Sequence, residues 1–378
     1  VIYLGLALFI AGSALAAWAE TIGWLIAARL LQGCGAIAGT LLALMGDLTR
    51  VNMRTVAMAF VGISIGVSFG LSLIAGPWFN TLIGLPGVFL LNAGLGAVGI
   101  VVVAVFVPTP TARRVNLDNA VIPADILQLA MRPDIAALCV SILLAHHLLM
   151  SGFLAFPRLL VEVGYTVDVH HYIYLGLLAG TFVLMGPVMR LGANPRFTKH
   201  VLLSVIALAA GSLAALSGQA SGVGVLLTMG GFFMAFNLLE VVLPAQLTRA
   251  APAGRRGTAA GLFSAAQFGG VFTGGAVGGL LIQTWGNAAL LYVNAGCAVL
   301  WFGLVMWGLT VRDVSGRVIE IADPTSDHAH SLVNALLSIE GIDDVVFVEA
   351  EGMAYLKIDN ANFVEDRLER LLAQSGAT

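Results

Sequence analysis

From Val1 to about Trp307 the chain is a string of apolar runs, each near twenty residues long, separated by short polar breaks. No feature limits the fold more. In hydrocarbon every backbone N–H and C=O must pair within the protein, so a crossing segment is a helix or a strand of a closed barrel. About twenty residues at 1.5 Å each cross the hydrocarbon as a helix, whereas barrel strands alternate over about ten residues. These runs do not alternate. Ten candidate spans follow, at 1–19, 22–46, 56–80, 84–107, 135–157, 170–192, 200–217, 221–246, 257–283 and 287–309. Composition agrees: 59% of the 378 residues are hydrophobic and 10% charged, with a mean hydropathy of +0.95. A soluble domain carries roughly 25% charged residues.

The chain begins at Val1 inside an apolar run, without a basic leader, so no signal peptide is read and upstream sequence is expected to be missing. Cys34, Cys139 and Cys297 stand singly in apolar runs and imply neither a disulfide framework nor a metal site. The net charge of −3 hides a split. Residues 1–314 hold 14 basic and 9 acidic residues, and residues 315–378 hold 4 basic and 12 acidic. Different solvents and opposite charge mark two kinds of domain. The expected organisation is a first helix bundle at 1–107, a linker at 108–134, a second bundle at 135–312 and a soluble domain at 315–378. The linker carries Arg113, Arg114, Asp118, Asp125, Arg132 and Asp134.

Basic residues in short loops mark the cytoplasmic side. One set of span ends carries Arg50, Arg54, Arg113, Arg114, Arg132, Arg190, Arg196, Lys199, Arg249, Arg255, Arg256 and Arg312, and the opposite set only Arg158. The linker and the C-terminal domain belong to the first, cytoplasmic set. An internal repeat runs through the same ends. Leu48-Thr49-Arg50 recurs as Leu247-Thr248-Arg249, followed by Arg54-Thr55-Val56-Ala57 and Arg256-Gly257-Thr258-Ala259. The spans that follow are notched at Gly62, Gly66 and Gly70, and at Gly270, Gly274 and Gly278. A spacing of four puts each set on one helix face, where backbones approach closely. The repeat pairs the third visible span with the ninth. The second half has six spans, so two spans are expected before Val1.

Arg29-Leu30-Leu31-Gln32-Gly33-Cys34-Gly35-Ala36 resembles the R-x-x-Q-G-x-G-A motif of major facilitator drug:proton antiporters. Gly76-Pro77, ending the next span, resembles the Gly-Pro of the antiporter signature. Ser72 stands where that family often has Gly, and Asn80-Thr81 replace its trailing Gly pair. The resemblance covers about residues 1–312. It implies an all-α polytopic membrane protein: a major facilitator bundle with ten of twelve transmembrane helices present, the third to sixth in 1–107 and the seventh to twelfth in 135–312. The family's loop between its second and third helices would lie before Val1.

The tail reads as a small α+β domain. Val318–Ala322 is a strand, Ser331–Ile339 a helix with Leu332, Leu336 and Ile339 inward, and Val345–Ala350 with Met353–Ile358 a hairpin turning at Glu351-Gly352. Phe363–Leu372 is a second helix with Val364, Leu368 and Leu371 or Leu372 inward. This β-α-β-β-α order is that of a ferredoxin-like fold with the last strand short or absent. A facilitator with such a tail resembles the YajR-type bacterial inner-membrane transporters, which implies export of small solutes.

Arg29 lies within its span, where a charge must face a cavity or another helix. Its functional reading is proton coupling; the alternative is a structural hydrogen bond, Gln32 being the obvious partner. The resemblance gives Asp47 the role of pairing with the loop before the family's third helix; helix-end solvation is the alternative. His146 and His147 sit mid-span, where a hydrated pair titrating near neutral pH carries protons or simply bonds structurally. Glu240 is an intramembrane acid suited to a proton or cation, or to a salt-bridged gate. Asn92, Gln267 and Asn294 line a cavity or join helices. Trp18, Trp24, Trp78 and Trp285 are interfacial anchors. Asp327, His328 and His330 lie where metal-carrying ferredoxin-like domains have cysteines. None is present, so capping by Asp323, Ser326 or Asp327 explains them better than a metal.

No P-loop, nucleophile elbow or zincin motif is present, and the acidic tail argues against nucleic acid. The expectation is a secondary active transporter, not an enzyme and without cofactor or metal. It works as a monomer in the bacterial inner membrane on a small solute and protons, exporting the solute by alternating access. The rival readings are a proton-coupled nutrient symporter, and a membrane sensor with the tail as its signalling module.

Overall fold

The computed structural model describes residues 1–35, 54–108, 125–192, 195–252, 255–308, 314–320, 326–348, 352–359 and 362–375, with isolated positions between 37 and 48. The chain divides into two compact units, Val1–Arg113 with His171–Gly176, and Arg114–His170 with Leu177–Thr378.

The first unit contains α1 (Ile2–Ala17), α2 (Ile22–Cys34) and α3 (Arg54–Phe106). Thr21 caps α2, its hydroxyl accepting the Trp24 N–H at 3.3 Å. This satisfies one of the donors that a helix start leaves orphaned. Helix α1 packs on both α2 and α3. A methyl added at Gly12 would fall 2.4 Å from the Gln32 nitrogen, so α1 and α2 touch backbone to backbone there. At Gly96 it would meet Ile10 at 2.8 Å, which fixes how closely α3 lies on α1.

The second unit contains α4 (Ile126–Ala130), α5 (Pro133–Glu162), α6 (His170–Gly192) apart from His171–Gly176, α7 (Pro195–Leu216), α8 (Gly222–Ala250) and α9 (Arg256–Gly308). Pro133 opens α5, where its missing N–H costs nothing. Ser221 caps α8 by accepting the Gly224 N–H at 3.1 Å. Helix α5 runs along α9, α8 packs on α5 and α7, and α7 packs on α9. The glycine notch sets the α5–α9 distance. Methyls at Gly270, Gly274 and Gly278 would fall 2.1 Å from the Leu143 carbonyl, 2.4 Å from the His147 carbonyl and 2.8 Å from the Ser151 hydroxyl. Both helices advance four residues per contact, so the seam continues over two turns. The Ser151 hydroxyl also donates to the Gly274 carbonyl at 3.0 Å.

Helices α3 and α9 are each 53 residues long and each is broken by one glycine, Gly84 (φ 68°, ψ 173°) and Gly286 (φ 82°, ψ −177°). Each break lies thirty residues after its opening arginine, Arg54 or Arg256. The breaks coincide with boundaries between sequence-expected spans, and they repeat in structure the symmetry of the arginines. In this register Gly270, Gly274 and Gly278 correspond to Ser68, Ser72 and Gly76, not to Gly62, Gly66 and Gly70. What the halves share is a stripe of small residues.

By length and composition, six helices among the described residues can cross a membrane: Ala75–Phe106, Pro133–Glu162, Val167–Val188, Phe197–Leu216, Gly222–Ala250 and Gly257–Gly308. Helices α1 and α2 are shorter apolar helices. Of the expected linker, residues 109–124 lie outside the described residues, and its end forms α4, whose Leu129 is buried.

The tail is β1 (Val314–Glu320), α10 (Ser326–Leu337), β2 (Ile342–Val348), β3 (Met353–Asp359) and α11 (Glu365–Ser375). The sheet order is β1-β3-β2, with β3 antiparallel to both neighbours. Val348 pairs with Met353 across the hairpin, and Gly352 takes the positive φ of 65° that the turn needs. Alternation along β3 buries Ala354, Leu356 and Ile358 with Leu332, Leu336, Ile339 and Leu368, and turns Tyr355 and Lys357 to the other face. The expected bounds are corrected: α10 begins at Ser326, five residues before Ser331, and β2 at Ile342, three before Val345. The first strand begins at Val314, four residues early. Val364 is exposed, because α11 starts only at Glu365, and Phe363 packs on the core instead.

Candidate functional site

In the first unit, the Arg29 guanidinium donates to the Gln32 side-chain oxygen one turn along α2, and the Gln32 amide donates to the Ser13 hydroxyl of α1 at 2.7 Å. Gln32 and Ser13 are buried, while Arg29 is exposed. Arg29 makes no ion pair among the described residues. Its visible work is to hold Gln32 in the α1–α2 joint. Asp47 lies outside the described residues. Gly62, Gly66 and Gly70 lie in α3, but their surroundings lie outside the described residues. Gly76 and Pro77 also sit in α3, with open space where a side chain at Gly76 would project.

The second unit assembles a polar cluster from three helices. His146 of α5 is buried, with Nδ1 3.2 Å from the Ile142 carbonyl. A carbonyl only accepts, so Nδ1 carries the hydrogen and the neutral ring leaves Nε2 as acceptor. The Gln267 amide of α9 meets that nitrogen at 2.8 Å. Glu240 of α8 places Oε1 3.6 Å from the same nitrogen. That oxygen is buried and makes no hydrogen bond among the described residues, while the side chain as a whole remains 34% accessible. Phe236, one turn before Glu240, stands edge-on to the imidazole at 5.3 Å. Asn237 donates to the Thr181 hydroxyl of α6 at 2.8 Å and ties α8 down beside the cluster.

His147 points elsewhere: its Nδ1 lies 3.2 Å from the Thr273 hydroxyl of α9, in the glycine seam. The two histidines therefore do not form a pair. Gln267 was expected to line a cavity or join helices; it joins α9 to α5 at His146, a partner the sequence did not name. The signal was present, since Gln267 lies three residues before Gly270 and so on the face of α9 that meets α5. Asn294 is fully buried, and neither of its amide atoms finds a hydrogen-bond partner among the described residues.

At one end of this unit charges gather. Arg132 pairs with Asp134 at 2.7 Å, and Arg255 with Asp125 at 3.2 Å and with the Gln128 side chain at 2.9 Å. The tail meets the same end. The Lys357 ammonium of β3 donates to the Ala250 carbonyl at 2.9 Å and to the Ala251 carbonyl at 3.3 Å, at the C-terminus of α8. Burial pushes this ammonium's pKa down and Arg132 adds to the effect, while Asp134, Asp343 and Asp344 oppose it. Among the described residues no group of three or more His, Cys, Asp or Glu side chains is placed to hold a metal ion. The side chains of Asp327, His328 and His330 lie outside the described residues.

Comparison with known proteins comes from sequence and from structure. Residues 1–243 match the family model described as Major Facilitator Superfamily. The chain is 32% identical over 373 residues to the inner membrane transport protein YajR of Escherichia coli (strain K12), covering 98% of this chain and 82% of that one. It is 28% identical over 277 residues to an uncharacterized transporter of Buchnera aphidicola subsp. Acyrthosiphon pisum, covering 72% of this chain and 71% of the relative. The crystal structure of the human organic anion transporter MFSD10 (TETRAN) superposes with a TM-score of 0.55 at 18% identity, over 80% of this chain and 76% of that one. At that identity the likeness shows the fold alone.

Proposed function

The chain belongs to the Major Facilitator Superfamily and is a multi-pass membrane transporter, a carrier and not an enzyme; from that premise we propose that it exports a small solute in exchange for protons, with His146 and Glu240 as the proton site. The observation that carries this reading is the three-helix convergence of His146, Glu240 and Gln267. An intramembrane acid facing an imidazole is costly to keep unless it does something.

The chemistry follows from the hydrogen-bond inventory. Neutral His146 accepts the Gln267 amide hydrogen at Nε2. A proton arriving there removes the acceptor, so the Gln267 N–H must leave; the new N–H is drawn to Glu240 Oε1, 3.6 Å away, or to the Gln267 oxygen once that amide turns over. Proton arrival therefore breaks the present α5–α9 hydrogen bond and strengthens the α5–α8 attraction. A proton bound at this site biases how the helices of the unit pack, which is what a coupled carrier needs if its two bundles are to expose one site alternately. We further infer that the protein acts as a monomer in a bacterial inner membrane with its tail in the cytoplasm.

The test uses purified protein in liposomes with a trapped pH dye, challenged with a panel of amphipathic solutes, ethidium among them. The wild-type protein moves protons when its solute is added. Glu240→Gln lowers that proton movement by about a hundredfold while solute exchange persists. His146→Ala behaves likewise. Proton movement at the wild-type rate in Glu240→Gln sinks the assignment.

A further inference from the structure

One hydrogen-bonded contact, supported by the charges around it, places the tail against the helices that carry the proton site. Lys357 binds the last carbonyls of α8, the helix of Glu240. Arg132 and Asp134, at the start of α5, the helix of His146, interact electrostatically with Lys357, and Asp343 and Asp344 of β2 interact with Arg132. The face of β3 that bears Lys357 is the one the tail's own helices leave uncovered. A cation at a helix C-terminus meets both unsatisfied carbonyls and the negative end of the macrodipole. Ala251 has left helical geometry (φ −59°, ψ 133°) and Pro252 follows, so α8 cannot continue to cover these carbonyls itself.

A second feature lies between Lys357 and Glu240. Pro244 stands inside α8. It has no N–H, so the Glu240 carbonyl four residues back loses its intrahelical bond, and the helix is weakest just below the acid. Below that point Thr248 returns its hydroxyl to the Pro244 carbonyl at 2.7 Å, which keeps the last turns together as one piece. The segment from Pro244 to Ala250 is thus a short lever, hinged beside Glu240 and fastened at its far end by Lys357.

We propose that the C-terminal domain regulates the proton site by docking: Lys357 is a positioning residue that fastens the lever of α8 below Pro244 and thereby sets where Glu240 stands relative to His146. This deepens the proposed function, because it assigns the regulation of that same site. The groups facing Lys357 are Arg132 and Asp134 from the start of α5 and Asp343 and Asp344 from β2; Glu240 is faced by His146 from α5, whose Nε2 is also met by Gln267 from α9. Anything that draws the tail away frees the lever and changes the protonation of Glu240.

The experiment uses the full chain in lipid nanodiscs, as wild type, Lys357→Met and Lys357→Arg. Two quantities are read: amide hydrogen exchange in residues 245–251, and the titration midpoint of the Glu240 carboxyl from its infrared carbonyl band, assigned with Glu240→Gln. Lys357→Met is expected to speed exchange in 245–251 about tenfold or more. It should also move the Glu240 midpoint by about half a pH unit or more. Lys357→Arg, which keeps the charge, should restore both. Exchange in α10 serves as the check that the tail remains folded.

Unchanged exchange in 245–251 overturns the docking role. Faster exchange with an unmoved midpoint reduces Lys357 to a structural cap and also overturns the proposal. Neither readout needs a solute or a proton gradient. A protein that passes the dye assay and fails here keeps its transport reading and loses the tail's role. One that moves no protons yet shows both shifts does the reverse.

Discussion

Trp301 is the largest fully buried side chain, and its indole N–H donates to the Ser141 hydroxyl at 2.9 Å, joining α9 to α5. Ser141 in turn donates to the Ala137 carbonyl. Removing the hydroxyl strands a buried donor that neither lipid nor water reaches. Ser141→Ala should therefore cost about 1–3 kcal/mol, read as a lower melting temperature in detergent. Ser141→Thr, which keeps the hydroxyl, should lose less. Equal losses in the two variants would trace the effect to packing and not to the hydrogen bond. At this scale the sequence was informative about which residues were unusual and silent about their partners. Arg29 was legible as a charge within a span, and the hydrogen bond to Gln32 was readable from their spacing of three. His146 and Gln267 are 121 residues apart, and nothing local could join them. His146 and His147 are adjacent, but neighbours on a helix point about 100° apart, so each takes its own partner.

Helices α3 and α9 carry the repeat at the scale of elements. Gly84 and Gly286 both combine φ near 70–80° with an extended ψ, a region open essentially to glycine alone. A Cβ there strains the turn even where space is free, and around Gly286 no atom lies within 4 Å of the added carbon. Gly84→Ala and Gly286→Ala should each cost about 1–3 kcal/mol, measured by thermal unfolding in detergent, and by similar amounts if the turns are equivalent. A neutral Gly286→Ala would show that the break relaxes and is not a fixed boundary. The sequence revealed the repeat through arginines and small residues. In the register of the two breaks, Gly270, Gly274 and Gly278 fall opposite Ser68, Ser72 and Gly76; Ser68 and Ser72 are exposed and Gly76 meets no atom within 4 Å, so among the described residues the close α5–α9 seam has no counterpart at these positions of α3. The tail's elements were legible because alternation and helical period are strong in a small soluble domain. Its helix starts were not: the second helix begins at Glu365, two residues after the expected Phe363, which leaves Val364 exposed.

For the whole molecule, sidedness follows from physics that acts on many loops at once. Within the second unit the ends rich in Arg132 and Arg255 are also the ends that meet the tail, through Lys357. The tail's place was invisible in the sequence, because Lys357 and Ala250 are 107 residues apart. The one hint was a lone lysine on the open face of a strand in an acidic domain. If basic loops stay in the cytoplasm, the tail must stay with them. The breaks around Thr166 and Ala220, both exposed, must then face outward. Replacing Cys34, Cys139 and Cys297 by alanine gives a background for single cysteines at Thr166, Ala220, Met131 and Ser338, all four exposed in the native chain. A membrane-impermeant maleimide applied to intact cells should label Thr166→Cys and Ala220→Cys and spare Met131→Cys and Ser338→Cys, with the pattern reversed in everted vesicles. Labelling of Ser338→Cys from the same side as Thr166→Cys would put the tail outside.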